Sequence, residues 1–179
     1  MPNNLENKVW LIGAGYMAIE YAKVLSAMNI NFHTIGRGEI SAKRFTNKTS
    51  CNVEIGGLKN YLRTNPQKPS SAIVAVNIEN LFETALELIK YGINHILLEK
   101  PGGLNAKEIN FLNETSKKYD ADVFIAYNRR FYCSTIKVNE MIKKDGGVLS
   151  FNVEFTEIIE KIKKLKIAKL VKEKWVLGN

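Results

Sequence analysis

A glycine-rich turn stands close to the N-terminus. Gly13, Gly15 and Ala18 form the pattern G-x-G-x-x-A between a short apolar run and an amphipathic segment. The first glycine allows a tight bend, the second lets a diphosphate approach the backbone, and the small third residue lets a helix pack closely on a strand. Free N–H groups at the helix start attract anions. The pattern predicts a dinucleotide diphosphate at Gly13, Ala14, Gly15, Tyr16 and Met17; the alternative is a glycine turn that serves only the fold.

Gly36 and Arg37 end the second predicted strand and bear on the type of dinucleotide. A site that prefers NAD places Asp or Glu about 20 residues after the glycine turn to hold the ribose hydroxyls. Neither position carries a carboxylate, and a guanidinium can pair with a 2′-phosphate or stack on adenine. The two residues are therefore predicted to contact the cofactor, with NADP favoured over NAD. An exposed loop arginine without a ligand is the alternative.

Two more polar segments follow predicted strands. Glu99, Lys100 and Pro101 follow one strand, and residues 127–131, which include Asn128 and Arg130, follow the next. In doubly wound folds, ligands bind at the carboxyl edge of the sheet. A lysine there can stabilise a developing alkoxide, and arginines can bind an anionic group. From their residue types alone, ordinary surface charge is the more common explanation for each segment.

Alternating strands and helices must position these residues. Apolar runs predict strands at 8–12, 31–35, 52–55, 72–76, 95–98 and 122–126. Spacings of three and four residues predict helices at 16–29, 57–63, 80–91, 105–119 and 133–143. Strands that alternate with helices of 10 to 15 residues indicate βαβ units. The predicted fold class is therefore α/β, with a doubly wound parallel sheet.

The pattern changes after the last of these helices. In Phe151–Thr156 apolar and polar residues alternate strictly, which is typical of a strand with one dry and one wet face. We expect this strand to be the first of a second domain with an antiparallel sheet. The predicted domains are 1–130, which binds the cofactor, and 131–179, an incomplete start of a substrate domain. An unpaired strand at 151–159 could also pair with a second copy and give a homodimer.

Composition excludes several classes of protein. The chain has 179 residues and a net charge of +8, and residues 160–179 carry seven lysines and two glutamates. This basic end predicts a solvated amphipathic helix at 160–174, and the chain is not predicted to bind nucleic acid or a membrane. No apolar run has the length of a membrane span, and no signal peptide is recognisable, so a cytoplasmic location is expected. With two cysteines and two histidines, the sequence does not predict a metal site.

Taken together and in this order, the motifs resemble the glucose–fructose oxidoreductase / inositol dehydrogenase (MocA-type) family over about residues 8–159. The resemblance implies an N-terminal Rossmann domain that binds NAD(P) and a C-terminal domain that shapes the substrate site. It also implies hydride transfer at a hydroxyl or carbonyl of a sugar, cyclitol or nucleotide-linked sugar. By this resemblance Lys100 is the active-site lysine, the Lys100–Pro101 bond is cis, and Glu99 contacts the cofactor. Asn128 and Arg130 would shape the substrate pocket.

The chain departs from the family pattern at two places. Val76, Asn77 and Leu81 stand where the family often has Thr, Pro and His, although Val76 and Asn77 are still expected beside the cofactor. The family's Asp and His pair on a helix of the second domain has no counterpart here. The resemblance therefore implies a truncated, catalytically incomplete chain. The alternative is a non-catalytic dinucleotide-binding or regulatory protein that keeps the Rossmann half.

Overall fold

The structure is a computed structural model that describes residues 9–154, 158, 160, 164 and 167–178. The strands are β1 (Val9–Ile12), β2 (Phe32–Ile35), β3 (Val53–Glu54), β4 (Ser71–Val74), β5 (His95–Leu98) and β6 (Asp122–Ile125). The helices are α1 (Tyr16–Ala27), α2 (Glu39–Thr49), α3 (Leu58–Arg63), α4 (Leu81–Tyr91), α5 (Ala106–Lys118), α6 (Cys133–Lys144) and α7 (Lys169–Gly178). Short 3-10 turns stand at Ile78–Asn80 and Asn128–Phe131.

All strand pairs of the sheet are parallel, in the order β3-β2-β1-β4-β5-β6. The chain winds outward from β1 to β3, returns, and winds outward on the other side from β4 to β6. The order therefore reverses between β1 and β4, where a doubly wound fold opens a crevice at the carboxyl edge. The predicted α/β class and the doubly wound parallel sheet are confirmed.

The core forms two layers, one on each face of the sheet. Successive side chains of β1 point to opposite faces, so Trp10 and Leu11 belong to different layers. Leu11 packs with residues of α1 and α2, including Ala18 and Phe45. Trp10 packs in the larger layer with residues of α3, α4 and α5. This burial fixes each strand end, and with it each loop at the carboxyl edge.

The sequence pattern does not predict helix α2 at residues 39–49. Its side chains are mostly polar, and Ala42 and Phe45 are its buried residues. Two apolar positions give too weak a stripe to stand out, because most helical stability in proteins comes from packing an apolar face. The pair at spacing i, i+3 was nevertheless available as a signal, with Glu39 in the first turn and Lys48 in the last.

The chain divides into two compact units, 1–126 and 127–179. In the second unit, α6 forms where the sequence predicts it. The predicted strand at 151–156 is wrong for residues 151–154, which have no regular secondary structure and are exposed; residues 155 and 156 lie outside the described residues. An alternating strand needs a partner to cover its apolar face, and no described residue pairs with this segment. A homodimer through this segment stays a prediction.

Of the predicted helix at 160–174, residues 161–163, 165 and 166 lie outside the described residues, and from Lys169 to Gly178 the chain is helical. Within the described residues, no helix has the length and apolar character that crossing a membrane requires.

Candidate functional site

The turn between β1 and α1 requires a glycine at its first position. Gly13 has φ +119°, a region that other residues adopt only with strain. A Cβ on Gly13 would lie 2.3 Å from the carbonyl oxygen of Ala75, in the loop that follows β4. The Gly13 N–H donates to the Ile35 oxygen at 2.8 Å, and the Ala75 N–H donates to the Ile12 oxygen at the same distance. The turn is thus held against both neighbouring strands.

Gly15 is required by nothing in the protein itself. Its backbone is extended, with φ −84° and ψ −169°, which any residue can adopt, and a Cβ on it would meet no atom within 4 Å. It is the N-cap of α1, and no side chain caps this helix. The first-turn residues Tyr16 and Met17 are exposed, whereas Ala18 is buried against the core. The first turn of α1 therefore presents backbone N–H groups beside open space, which suits an anion.

The loop after β2 places Gly36 and Arg37 at the same edge of the sheet. Gly36 is buried, and its N–H donates to the Glu54 oxygen at 2.8 Å. A Cβ on Gly36 would lie 2.8 Å from Cγ1 of Val53, so its glycine has a packing reason. Arg37 is exposed, and no hydrogen bond or ion pair to its guanidinium is found among the described residues. The guanidinium is therefore available to a ligand at the end of β2.

The loop after β4 brings Val76 and Asn77 next to the glycine turn. Val76 is half-buried and packs against the larger core layer. Asn77 is exposed; its carbonyl oxygen accepts from the Asn80 N–H at 2.9 Å, and its amide nitrogen Nδ2 donates to Oε1 of Glu79 at 3.3 Å. Both residues lie in the loop at the reversal of strand order, and their contact with the cofactor stays a prediction.

A four-residue turn after β5 carries Lys100. The Glu99 N–H donates to the Val74 oxygen, and the Glu99 oxygen accepts from the Gly102 N–H, both at 3.0 Å. The Lys100–Pro101 peptide bond is cis. Gly102 has φ +88°, and a Cβ on it would lie 2.7 Å from Cδ1 of Ile125 in β6. The turn is therefore packed on its inner side, and the exposed Lys100 projects from a fixed backbone.

The start of α5 holds the other end of this loop. Asn105 is the N-cap, and its Oδ1 accepts from the Glu108 N–H at 3.0 Å. The Glu108 carboxylate reaches back and accepts from the Leu104 N–H at 2.6 Å and from Nδ2 of Asn105 at 3.0 Å. This reciprocal arrangement is a variant of the capping box, in which Glu108 binds the N–H of Leu104, the residue before the N-cap, instead of the N-cap N–H.

Tyr21 is a residue of this edge that the sequence did not indicate. Its hydroxyl donates to Oε1 of Glu99 at 2.6 Å, which joins α1 to the lysine turn across 78 positions of sequence. Burial raises the pKa of Tyr21 well above its usual value, and the hydrogen bond to Glu99 and the charge of its carboxylate raise it further. The hydroxyl thus stays protonated and donates at any physiological pH.

Asn128 and Arg130 lie in the second unit, in the 3-10 turn Asn128–Phe131. Nε of Arg130 donates to the Tyr127 oxygen at 3.2 Å, and the guanidinium lies 5.6 Å from the ring centroid of Phe131. Both residues are exposed. Their assignment to the substrate pocket stays a prediction.

Three solved structures show the same arrangement of elements. WlbA dehydrogenase from Bordetella pertussis, in complex with NADH and UDP-GlcNAcA, matches with TM-score 0.67 and 13% identity over 78% of this chain and 42% of its own. GenD2 from gentamicin A biosynthesis, in complex with NAD, matches with TM-score 0.69 and 18% identity, over 81% and 41%. UDP-N-acetylglucosamine 3-dehydrogenase GnnA from Acidithiobacillus ferrooxidans matches with TM-score 0.63 and 16% identity, over 75% and 41%.

At these identities the likeness shows a shared fold, and the chain spans about two fifths of the length of each of these proteins. No curated protein sequence matches the chain.

The sequence itself decides the family. Residues 7–127 match the family model described as an oxidoreductase family with an NAD-binding Rossmann fold, GFO/IDH/MocA. This stretch contains the glycine turn before α1 and the lysine turn after β5, which are two of the three motifs that carry the resemblance. The match covers more than half of the 179 residues. The chain therefore belongs to the GFO/IDH/MocA oxidoreductase family and carries its NAD-binding Rossmann fold.

Proposed function

We propose that residues 9–126 bind a nicotinamide dinucleotide across the reversal of strand order and hold it for hydride transfer to or from a sugar-like substrate. The diphosphate lies at the first turn of α1, against Gly13, Ala14, Gly15, Tyr16 and Met17. The adenosine half extends towards the end of β2, at Gly36 and Arg37. The nicotinamide half extends the other way, past Val76 and Asn77, to Glu99 and Lys100.

One observation carries this proposal: α1 begins with an uncapped glycine that the protein's own packing does not require. An N-terminal turn without a side-chain cap leaves its N–H groups to solvent or to a ligand. The glycine keeps the approach to these groups clear, and the helix dipole adds positive potential for a diphosphate. The residues present thus fit a dinucleotide.

Lys100 is the residue that we assign to the chemistry. When bound, the coenzyme supplies or accepts the hydride. The ammonium of Lys100 would stabilise negative charge that develops on the substrate oxygen and could hold or release a proton there. No hydrogen bond or ion pair engages this ammonium within the described residues, so it is available to a substrate. Asn128 and Arg130 would contribute to the substrate side.

The substrate class that we propose is a sugar, a cyclitol or a nucleotide-linked sugar. Support comes from the WlbA structure, which contains UDP-GlcNAcA, and from GnnA, which is named for its action on UDP-N-acetylglucosamine. The domains that we propose are 1–130 for the cofactor and 131–179 for the start of the substrate domain. Because the chain spans about two fifths of those proteins, we propose the sugar-directed activity only for a protein that also has a complete substrate domain.

We further propose that NADP is preferred over NAD. Arg37 is exposed at the end of β2, and neither it nor Gly36 places a carboxylate against a 2′-phosphate. Replacing Arg37 with Gln should weaken NADPH about tenfold and leave NADH within twofold, because the guanidinium pairs with a phosphate that NADH lacks. Arg63→Gln, in α3, is the matched control. Equal binding of NADPH and NADH by the unchanged protein would contradict the preference.

Calorimetric titration with NADH and NADPH tests the binding site. Gly15→Ala should keep the fold, since a Cβ there meets no atom, and should weaken both coenzymes by at least about tenfold by blocking the diphosphate. Gly38→Ala is the matched control: Gly38 is the extended, uncapped N-cap of α2, where a Cβ also has room. If Gly38→Ala lost binding and Gly15→Ala did not, the diphosphate would bind at α2 and not at α1, and the proposal would be overturned.

A further inference from the structure

Tyr21 and Glu99 form a hydrogen bond across the cofactor edge. Tyr21 lies in the second turn of α1, and its partly buried hydroxyl donates to Oε1 of Glu99 at 2.6 Å. Hydrogen bonds from a hydroxyl to a carboxylate are short and strong compared with neutral ones. The contact is thus an ordered link between the helix that begins at the glycine turn and the loop that carries the lysine.

The link fixes the one part of Glu99 that the backbone leaves free. The Glu99 N–H donates to the Val74 oxygen and its carbonyl oxygen accepts from the Gly102 N–H, so its main chain is held on both sides. The side chain can still rotate, and the Tyr21 hydroxyl restricts that rotation. Among the described residues, no hydrogen bond to Oε2 of Glu99 is found. The second oxygen is therefore held in place with an acceptor position open.

We propose that Tyr21 is a positioning residue: by fixing the Glu99 carboxylate it holds an acceptor in place for the nicotinamide nucleotide, without contacting the coenzyme's adenosine half. The inference rests on the proposed function. Tyr21 itself is not a catalytic residue, because it acts through Glu99. Tyr21 acts on Glu99, which follows β5. It therefore affects the nicotinamide side of the site and not the glycine turn after β1, which is assigned to the diphosphate.

A second tyrosine provides a matched control. The Tyr91 hydroxyl, at the end of α4, donates to the Pro66 oxygen at 2.7 Å and is also partly buried. Its ring packs in the larger core layer, with its centroid 6.0 Å from that of Trp10. Tyr91→Phe removes the same kind of hydroxyl and a hydrogen bond of similar length, but none of the residues assigned to the cofactor is involved.

The test compares NADH with ADP, which has the diphosphate and lacks the nicotinamide nucleotide. Calorimetric titration of Tyr21→Phe should show NADH bound about tenfold more weakly and ADP bound within twofold of the unchanged protein, because only the nicotinamide side loses its fixed carboxylate. Tyr91→Phe should leave both affinities within twofold. In a Glu99→Ala background, the additional change Tyr21→Phe should have no further effect on NADH, since its partner is gone.

The outcomes separate this inference from the proposed function. If the unchanged protein binds neither NADH nor ADP, the proposed function and this inference both fail. If it binds both and Tyr21→Phe binds NADH equally well, the positioning role fails and the proposed function stands. An equal loss of NADH and ADP affinity in Tyr21→Phe would also overturn the inference, because it would show a general structural role. The inference would also be overturned if Tyr21→Phe weakened NADH about tenfold in the Glu99→Ala background, because the effect would then not depend on Glu99.

Discussion

Two helices that begin at the same edge of the sheet, α1 and α5, begin in opposite ways. Gly15 precedes α1, has no side chain, and leaves the first turn without a cap. Asn105 precedes α5, and its amide and the Glu108 carboxylate bind free N–H groups at that end. Both helices follow a β-strand and a glycine with positive φ, so the contrast lies in the caps.

The contrast separates a helix end used for binding from one used for structure. A capping box satisfies N–H groups within the chain and stabilises the helix by a modest amount. An uncapped end gives up that stabilisation and keeps its N–H groups for another acceptor. The two ends are also complementary: the uncapped one is assigned to the diphosphate, and the capped one anchors the loop from which Lys100 projects.

The largest difference expected is between Gly13 and Gly102, the positive-φ glycines before the two helices, in the free energy of unfolding that each loses when replaced by Ala. Gly13→Ala should lower the free energy of unfolding by roughly 3 kcal/mol or more, because a Cβ would strike the Ala75 carbonyl oxygen and the φ of +119° is strained. Gly102→Ala should cost less, since its Cβ would meet ends of the Ile125 and Ile109 side chains, which can move. Denaturant unfolding of both variants measures the difference. Equal losses would show that φ alone decides the cost.

Giving α1 the kind of cap that α5 has should abolish binding. In Gly15→Asp the new carboxylate accepts from first-turn N–H groups and repels a diphosphate, so NADH should bind at least about 100-fold more weakly. The helix itself should become more stable by a few tenths of a kcal/mol. Calorimetry and denaturant unfolding measure the two changes on the same sample.

Unchanged NADH affinity in Gly15→Asp would contradict the difference drawn between the two helix ends. Gly38→Asp, at the start of α2, is the control, and it should retain binding of the diphosphate.

Removing the cap of α5 should affect stability and not the diphosphate site. Asn105→Ala should lower the free energy of unfolding by about 1 kcal/mol, because the Glu108 N–H loses its acceptor. Asn80→Ala is the control: Asn80 is the N-cap residue of α4 but makes no side-chain capping bond, so its loss should be within about 0.5 kcal/mol. ADP affinity should stay the same in both. A similar cost for the two variants would remove the capping box as the cause.

The smallest effect expected concerns alkaline pH. Because the pKa of Tyr21 is raised in the folded protein, folding favours the protonated hydroxyl. Its contribution to stability is complete below the ordinary tyrosine pKa of about 10 and is lost as the pH rises above that value. The difference in unfolding free energy between the unchanged protein and Tyr21→Phe should therefore shrink above pH 10. A difference that stays constant there would contradict the raised pKa.

The sequence was most informative where a residue type has one strong reason to stand at its position. Gly13 marks a tight turn because only glycine tolerates its φ, and the run at Ala72–Val76 predicted a buried strand, observed as β4. Both signals are local. Asn105 and Glu108 also form a local signal, because their spacing of three residues is that of a capping box.

Local sequence signals do not predict features that depend on contacts between residues far apart in the sequence. Tyr21 stands at helical spacing with Ala18, Ala22 and Leu25, a pattern that indicates only the apolar face of α1, whereas its hydrogen-bond partner lies 78 residues away. Helix α2 was missed because its apolar stripe is two residues long. The prediction of a strand at 151–156 rests on alternation alone. Alternation indicates that one face is apolar, but it does not show whether another strand is present to pair with the segment and cover that face.

The position of Trp10 makes its intrinsic fluorescence a probe of coenzyme binding. This indole is 1% exposed, its ring centroid lies 5.2 Å from that of Tyr61, and it stands in β1 three positions before Gly13. A side chain so completely sealed from water has an emission that solvent quenchers do not reach. Reduced nicotinamide absorbs in the band where buried indoles emit. Energy transfer from Trp10 to a coenzyme bound at this edge would therefore change the intrinsic fluorescence spectrum of the protein.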